Sequence, residues 1–168
     1  MTIRRATLKD IPLIMQLIAE VVPVMNAGGN FQWDSAYPKA GVFENDILLS
    51  QLWVADADGD IAGIAAITTD QEPEYADVGW DVNEMAIVTH RLAVSTRYQG
   101  QGIAIALLKQ AEQEAVNRGI QALRIDTNVN NKATRKLFPK LGYIFSGEIG
   151  LAFRPNQRFY CYEKRLGK

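Results

Sequence analysis

Arg97-Tyr98-Gln99-Gly100-Gln101-Gly102 is the stretch on which the reading of this chain turns. It closes a β-like run, Glu84 to Val94, and opens a strongly helical one, Gln101 to Arg118. A strand that turns through glycines into a helix leaves several backbone N–H groups without acceptors at the positive end of the helix dipole, where a phosphate is favoured. Gly100 and Gly102 let phosphate oxygens approach the main chain and permit positive φ in the turn. Spacing disfavours two kinds of phosphate loop. A Walker A loop ends in Gly-Lys-Ser/Thr, which is absent. A dinucleotide fingerprint wants Gly or Ala where this chain has Ile105, and an acidic residue about 20 residues further on, which is missing.

What remains, R-x-x-G-x-G after a strand ending Leu92-Ala93-Val94, resembles the pyrophosphate-binding motif of the GNAT superfamily of acetyl-CoA-dependent N-acetyltransferases. Downstream lies an apolar strand, Ala122 to Asp126. The segment Asn131-Lys132-Ala133-Thr134-Arg135-Lys136-Leu137-Phe138-Pro139-Lys140-Leu141-Gly142-Tyr143 then resembles that family's N-x-x-A-x-x-x-[YF]-x-x-x-G-[FY] helix. Thr2 to Thr7 with Asp10-Ile11-Pro12 looks like its first strand and helix, and Ile61 to Ile67 like its third strand. The resemblance covers nearly the whole chain, most specifically Ala86 to Tyr143. It implies an α/β fold with a mixed, mostly antiparallel central sheet flanked by helices, and acetyl-CoA as cofactor. The implied cofactor contacts are Leu92, Ala93, Val94, Arg97, Tyr98, Gln99, Gly100, Gln101, Gly102, Ile103, Ala104, Asn131, Ala133 and Phe138.

Composition agrees with one domain spanning residues 1–168. At 48% hydrophobic content a chain of 168 residues buries a sizeable core, and two domains are not expected at this length. No apolar run is long enough to span a bilayer and no signal-peptide pattern opens the chain, so a cytoplasmic location is expected. Cys161, the single cysteine, sits in an alternating run and reads as a packing residue. Apolar residues at Ile11, Ile14, Ile18, Val21 and Val22 mark a first helix behind a Thr7–Asp10 capping box, and a second short helix is expected between Lys39 and Gln51. Asp58-Gly59-Asp60 marks a hairpin between strands Leu52–Ala57 and Ile61–Ile67, and two more strands are expected near 143–148 and 158–164.

Acetyl transfer to an amine sets its own requirements. A primary amine with a pKa of about 10 is almost fully protonated at neutral pH, so a base or proton relay must take a proton. His90 is the only histidine, placed by alternation with Val88 and Leu92 just before the glycine loop. His90-Arg91-Leu92-Ala93-Val94 resembles the H-A-L-A-V of arylalkylamine N-acetyltransferases, where that histidine belongs to the deprotonation machinery; Val88 stands where they carry a second one. Glu84, near the place of a glutamate base in other members, is the rival. The resemblance further implies that backbone N–H groups around Leu92 to Val94 meet the developing oxyanion. Asn131 is implied to bond the cofactor, and suits an N-cap as well. Phe138 stands where many members have a proton-donating tyrosine. Pro139 removes a helical N–H and is expected to disturb the helix at Phe138.

Residues 40–90 contain eleven Asp or Glu and no Lys or Arg, whereas residues 91–168 contain fourteen Lys or Arg against five acids. That polarity suits an anionic cofactor on one side and a cationic acceptor on the other. Phe31, Trp33 and Tyr37, after the Gly28-Gly29 turn, lie where the family usually builds one wall of the acceptor site. A small amine or amino acid is the favoured acceptor, with a protein N-terminus or lysine as the alternative. A non-catalytic acyl-CoA sensor and a nucleic-acid-binding module are the competing classes. No metal, membrane or nucleic-acid partner is expected, and a homodimer is left open.

Overall fold

A computed structural model describes residues 1–167. Seven strands, β1 (Thr2–Arg5), β2 (Leu52–Ala57), β3 (Asp60–Thr68), β4 (Ala86–Val94), β5 (Ala122–Asn128), β6 (Ile144–Leu151) and β7 (Arg154–Arg165), lie in the order β1-β2-β3-β4-β5-β7-β6. β4 and β5 pair in parallel; β1–β2, β2–β3, β5–β7 and β6–β7 pair antiparallel. The helices are α1 (Ile11–Ala27), α2 (Ala40–Leu48), α3 (Ile103–Arg118) and α4 (Lys132–Lys140). This is the mixed, mostly antiparallel sheet with flanking helices that the sequence implies. Among the described residues no helix is long and apolar enough to cross a membrane.

The chain divides into two compact units, Met1–Thr68 with Thr89–Gln110, and Thr69–Val88 with Ala111–Lys168. In the first, α1 buries Ile14, Leu17, Ile18, Val21 and Val22, an apolar stripe at helical spacing, among Val54, Ile64 and Ala66 of β2 and β3. The Asp10 carboxylate accepts the Thr7 N–H at 2.8 Å and grips the Arg4 guanidinium, which fixes the approach to α1. Asp58 and Gly59 both have positive φ, as a two-residue hairpin of matching twist requires, and the Asp56 carboxylate accepts the Gly59 N–H at 2.7 Å. At Gly63 of β3 the cause is close approach. A Cβ there would lie 2.6 Å from Ile103 Cγ2 on α3 and 3.0 Å from the Ala93 carbonyl oxygen on β4. The absent side chain lets the start of α3 sit directly on the sheet.

In the second unit Tyr75, Trp80, Ala86, Val88, Ala122, Phe159 and Cys161 form a buried cluster. The Tyr75 hydroxyl donates to Asp126, and burial, reinforced by the Asp126 charge, pushes the Cys161 thiol up to about 12, so this cysteine packs rather than reacts. α4 does not break at Pro139. The helix continues to Lys140 and its last turn closes with Leu141 N–H donating to the Leu137 and Phe138 carbonyls. Pro139 forgoes one intrahelical bond, that of its own missing N–H, and the turn still closes through Gly142 N–H to the Pro139 carbonyl and Tyr143 N–H to the Phe138 carbonyl.

Candidate active site

β4 is an ordinary strand over Ala86–Val88, where it pairs with Ala122–Arg124 of β5, and the ladder ends there. At Arg91 the backbone takes φ 52°, the left-handed conformation, which costs a non-glycine residue about 1–2 kcal/mol. Its side chain is firmly anchored. The Arg91 guanidinium makes two 2.7 Å bonds, Nε to Oδ2 and Nη2 to Oδ1, with Asp46 of α2, whose residue surface is 1% exposed. Asp46 also accepts Gln51 Nε2 at 2.9 Å, and Arg91 Nη1 donates to the Tyr37 hydroxyl at 3.5 Å. A fork-to-fork pair of this kind fixes direction as well as distance. His90, half-buried, immediately precedes the kink; Leu92 and Val94 are half-buried after it, and Ala93 joins the core of the first unit.

The end of β4 is held by a second carboxylate. Glu20 of α1 accepts the Ser95 hydroxyl at 2.8 Å, the Thr96 N–H and hydroxyl at 2.5 Å each, and Arg97 Nε at 3.4 Å. Partial burial works against the ionised form, but the bonds from Thr96, Ser95 and Arg97 prevail and bring the Glu20 carboxyl down to about 2. Ser95 N–H continues the strand by donating to the Ala62 carbonyl at 2.8 Å, and Ser95 Oγ caps the following turn by accepting Arg97 N–H.

Beyond this anchor come Gln99, Gly100, Gln101 and Gly102, all exposed, then buried Ile103 and half-buried Ala104 in the first turn of α3. Gly100 and Gly102 have φ of 75° and 77°, and a Cβ added at either would meet nothing within 4 Å. The glycines are needed for backbone conformation, and the space above them is open. Gly102 acts as the cap, its carbonyl accepting Ala106 N–H, so the N–H groups of the first helical turn have no acceptor within the helix. An anionic group fits here. The Arg97 side chain is otherwise engaged: it binds Asp60 at 2.6 Å and Glu20, and the Tyr98 hydroxyl also donates to Asp60, at 3.0 Å.

The remaining candidate residues divide by surroundings. Trp33 is a core residue of the first unit, and Asn26 Nδ2 fixes its loop by donating to the Asn30 and Trp33 carbonyls. Tyr37 packs partly buried against the same core and Phe31 is exposed. In the second unit Glu84 is bound by Arg165 at 2.6 Å and by buried Arg124 at 3.1 Å, and the Arg165 hydrogen bond, with both positive charges, holds its carboxyl below the usual range. Asn131 caps α4, its Oδ1 accepting Thr134 N–H at 3.2 Å; Ala133 is exposed. The fourth place of the N-x-x-A pattern counted from Asn131 is Thr134, whose hydroxyl bonds Thr127 of β5. Phe138 is 1% exposed between the rings of Tyr143 and Tyr162, at 5.8 and 5.4 Å. Glu20, Asp46 and Arg91 are the site residues that the sequence did not disclose.

A model of the Acetyltransferase (GNAT) family matches residues 21–143. The chain belongs to this family. Another N-acetyltransferase, YesJ of Bacillus subtilis, itself uncharacterized, is 25% identical over 145 residues, 84% of this chain and 81% of YesJ. A GNAT-family acetyltransferase structure from Streptococcus agalactiae matches with a TM-score of 0.79 at 28% identity, covering 99% of this chain and 96% of the other. The PaiA N-acetyltransferase of Thermoplasma acidophilum, in complex with coenzyme A, shares the GNAT fold at a TM-score of 0.75 and 18% identity over 98% of each chain.

The Glu20 anchor generates a prediction about acid. A carboxyl lowered on folding contributes stability that is complete above its unfolded value of about 4.5 and is lost as pH falls through its folded value of about 2. Glu20→Gln should cost about 1–2 kcal/mol at neutral pH, the low end for hydrogen bonds to a charged group because the side chain is a quarter exposed. In thermal melts at a series of pH values the gap between variant and wild type should close between pH 4.5 and 2. A gap that does not change with pH contradicts the assignment.

Proposed function

We propose that this acetyltransferase moves the acetyl group of acetyl-CoA to the primary amine of a small molecule or amino acid by direct attack, without a covalent enzyme intermediate. The observation that carries the reading is the Gly100–Gly102 turn at the start of α3: two left-handed glycines below open space, followed by helix N–H groups without helical acceptors. Main-chain N–H groups from Gln99 to Ala104 hold the pyrophosphate, and Arg97 steadies the turn beneath it, its side chain committed to Asp60 and Glu20 and its N–H to Ser95 Oγ. Bound acetyl-CoA supplies an activated thioester.

The chain's own residues supply the proton chemistry and the oxyanion contacts. His90 takes the proton that the amine must lose, directly or through water, as the amine nitrogen bonds the acetyl carbon and the carbon–sulfur bond breaks. Glu84 is the poorer base, since two arginines stabilise its ionised form and so weaken its hold on a proton. N–H groups at Leu92, Ala93 and Val94 donate to the acetyl oxygen as it gains charge. A thiolate with a pKa of about 8.5 leaves tolerably as an anion, so Phe138, which has no proton to give, does not preclude turnover. Phe31 and Tyr37 face the acceptor in this reading, with Trp33 packed behind them. The acid-rich stretch 40–90 supports a cationic acceptor, although Asp46, Asp56, Asp60 and Glu84 of that stretch are already paired with arginines.

Gly102→Val places a β-branched residue where φ is 77° and fills the open cradle. Calorimetry should find acetyl-CoA binding lost in a variant with unchanged circular dichroism; a folded variant that binds like wild type removes the cofactor assignment. His90→Ala should lower kcat by about 100-fold or more, with acetyl-CoA affinity within about threefold, the range expected when general-base help is withdrawn. A variant as fast as wild type, with the same pH–rate profile, takes the base role away from His90.

A further inference from the structure

We propose that Asp46 is a positioning residue for acyl transfer: by gripping Arg91 it holds the left-handed kink in β4 that aims the following backbone N–H groups. The inference rests on the reading above in which the amides of Leu92 to Val94 meet the acetyl oxygen. Among the described residues three non-glycine residues have positive φ, Ser50, Asp58 and Arg91, and only Arg91 lies inside a strand. Arginine has no local hydrogen bond with which to favour that conformation, unlike Asp or Asn, so the stabilisation must come from elsewhere in the fold.

The geometry supplies it. Asp46 is almost completely buried near the end of α2, its carboxylate steadied by Gln51 Nε2 and its carbonyl accepting the Gln51 N–H at 3.0 Å. A rigid acceptor therefore meets both guanidinium donors at 2.7 Å. A buried ion pair is a weak source of net stability compared with apolar packing of the same volume, and its better use is to specify one arrangement. The arrangement specified here is the peptide direction between His90, the proposed base, and Leu92, the first proposed oxyanion donor. Because Arg91 Nη1 also reaches the Tyr37 hydroxyl, the same guanidinium ties the kink to the loop that carries the proposed acceptor contacts.

The test separates backbone conformation from charge pairing. Asp46→Asn alone should lower kcat by about 10-fold. Adding Arg91→Gly, which adopts positive φ freely, should restore most of that loss, whereas adding Arg91→Val, which resists it, should deepen the loss to about 100-fold, the scale of one oxyanion donor. Neither double variant leaves a buried charge unpaired, so both should fold. Coenzyme A, which lacks the acetyl oxygen, should bind all variants with affinities within about twofold of wild type. Equal kcat in the two double variants, or losses that follow coenzyme A affinity or melting temperature, overturns the positioning role while leaving the acetyltransferase reading intact. Wild-type protein that transfers acetyl to no amine overturns that reading, and this inference with it.

Discussion

A strand with a left-handed arginine at its centre has to be held in that shape, and the first unit of this acetyltransferase is arranged around doing so. Asp46 of α2 grips Arg91 at the kink, and Glu20 of α1 collects four hydrogen bonds from Ser95, Thr96 and Arg97 at the strand's end. The apolar stripe of α1 buries itself against β2 and β3 and so delivers Glu20 to its place, while buried Phe43 seats α2, the helix that carries Asp46, in the same core. Packing thus positions two carboxylates, and both bind side chains or backbone of β4 and the turn after it. The glycine turn and α3 follow from that point, seated on the sheet through the missing side chain of Gly63.

Much of this was legible in the residues. The glycine turn between a strand and a helix, the Asp58-Gly59 hairpin, the α1 stripe and the buried Cys161 each carry a local signature of period or turn chemistry, and each is found where the sequence put it. Element ends were read less well: β7 begins at Arg154 and β5 runs to Asn128, because strand length is set by pairing partners distant in sequence. Pro139 is expected to disturb the helix, but only its own N–H is lost and the turn still closes through the N–H groups of Leu141, Gly142 and Tyr143.

The two anchoring carboxylates were illegible for a different reason. Asp46 and Arg91 are 45 residues apart and Glu20 and Thr96 are 76 apart, and neither spacing corresponds to a local motif. The imbalance of charge along residues 40–168 is the one trace that Asp46 leaves, and Glu20, outside it, leaves none. Eleven acids without a base, followed by an excess of bases, reads as a polarised surface; in the fold Asp46, Asp56, Asp60 and Glu84 are instead joined to Arg91, Arg4, Arg97 and the Arg124–Arg165 pair. Part of the apparent polarity is internal pairing, in which partners of opposite sign come from different parts of the chain.

Transfer of acetyl to an amine is the central activity to test. Wild-type protein with saturating acetyl-CoA should be presented with a panel of small amines, free amino acids, peptides with free N-termini and lysine-containing peptides, with thiol release followed by a chromogenic disulfide and products weighed by mass spectrometry. Amine-dependent thiol release, with a product heavier by one acetyl group and the best rates among small cationic amines or amino acids, is the result the account predicts. Tight acetyl-CoA binding without amine-dependent release from any member of the panel would contradict it and leave the chain an acyl-CoA-binding protein.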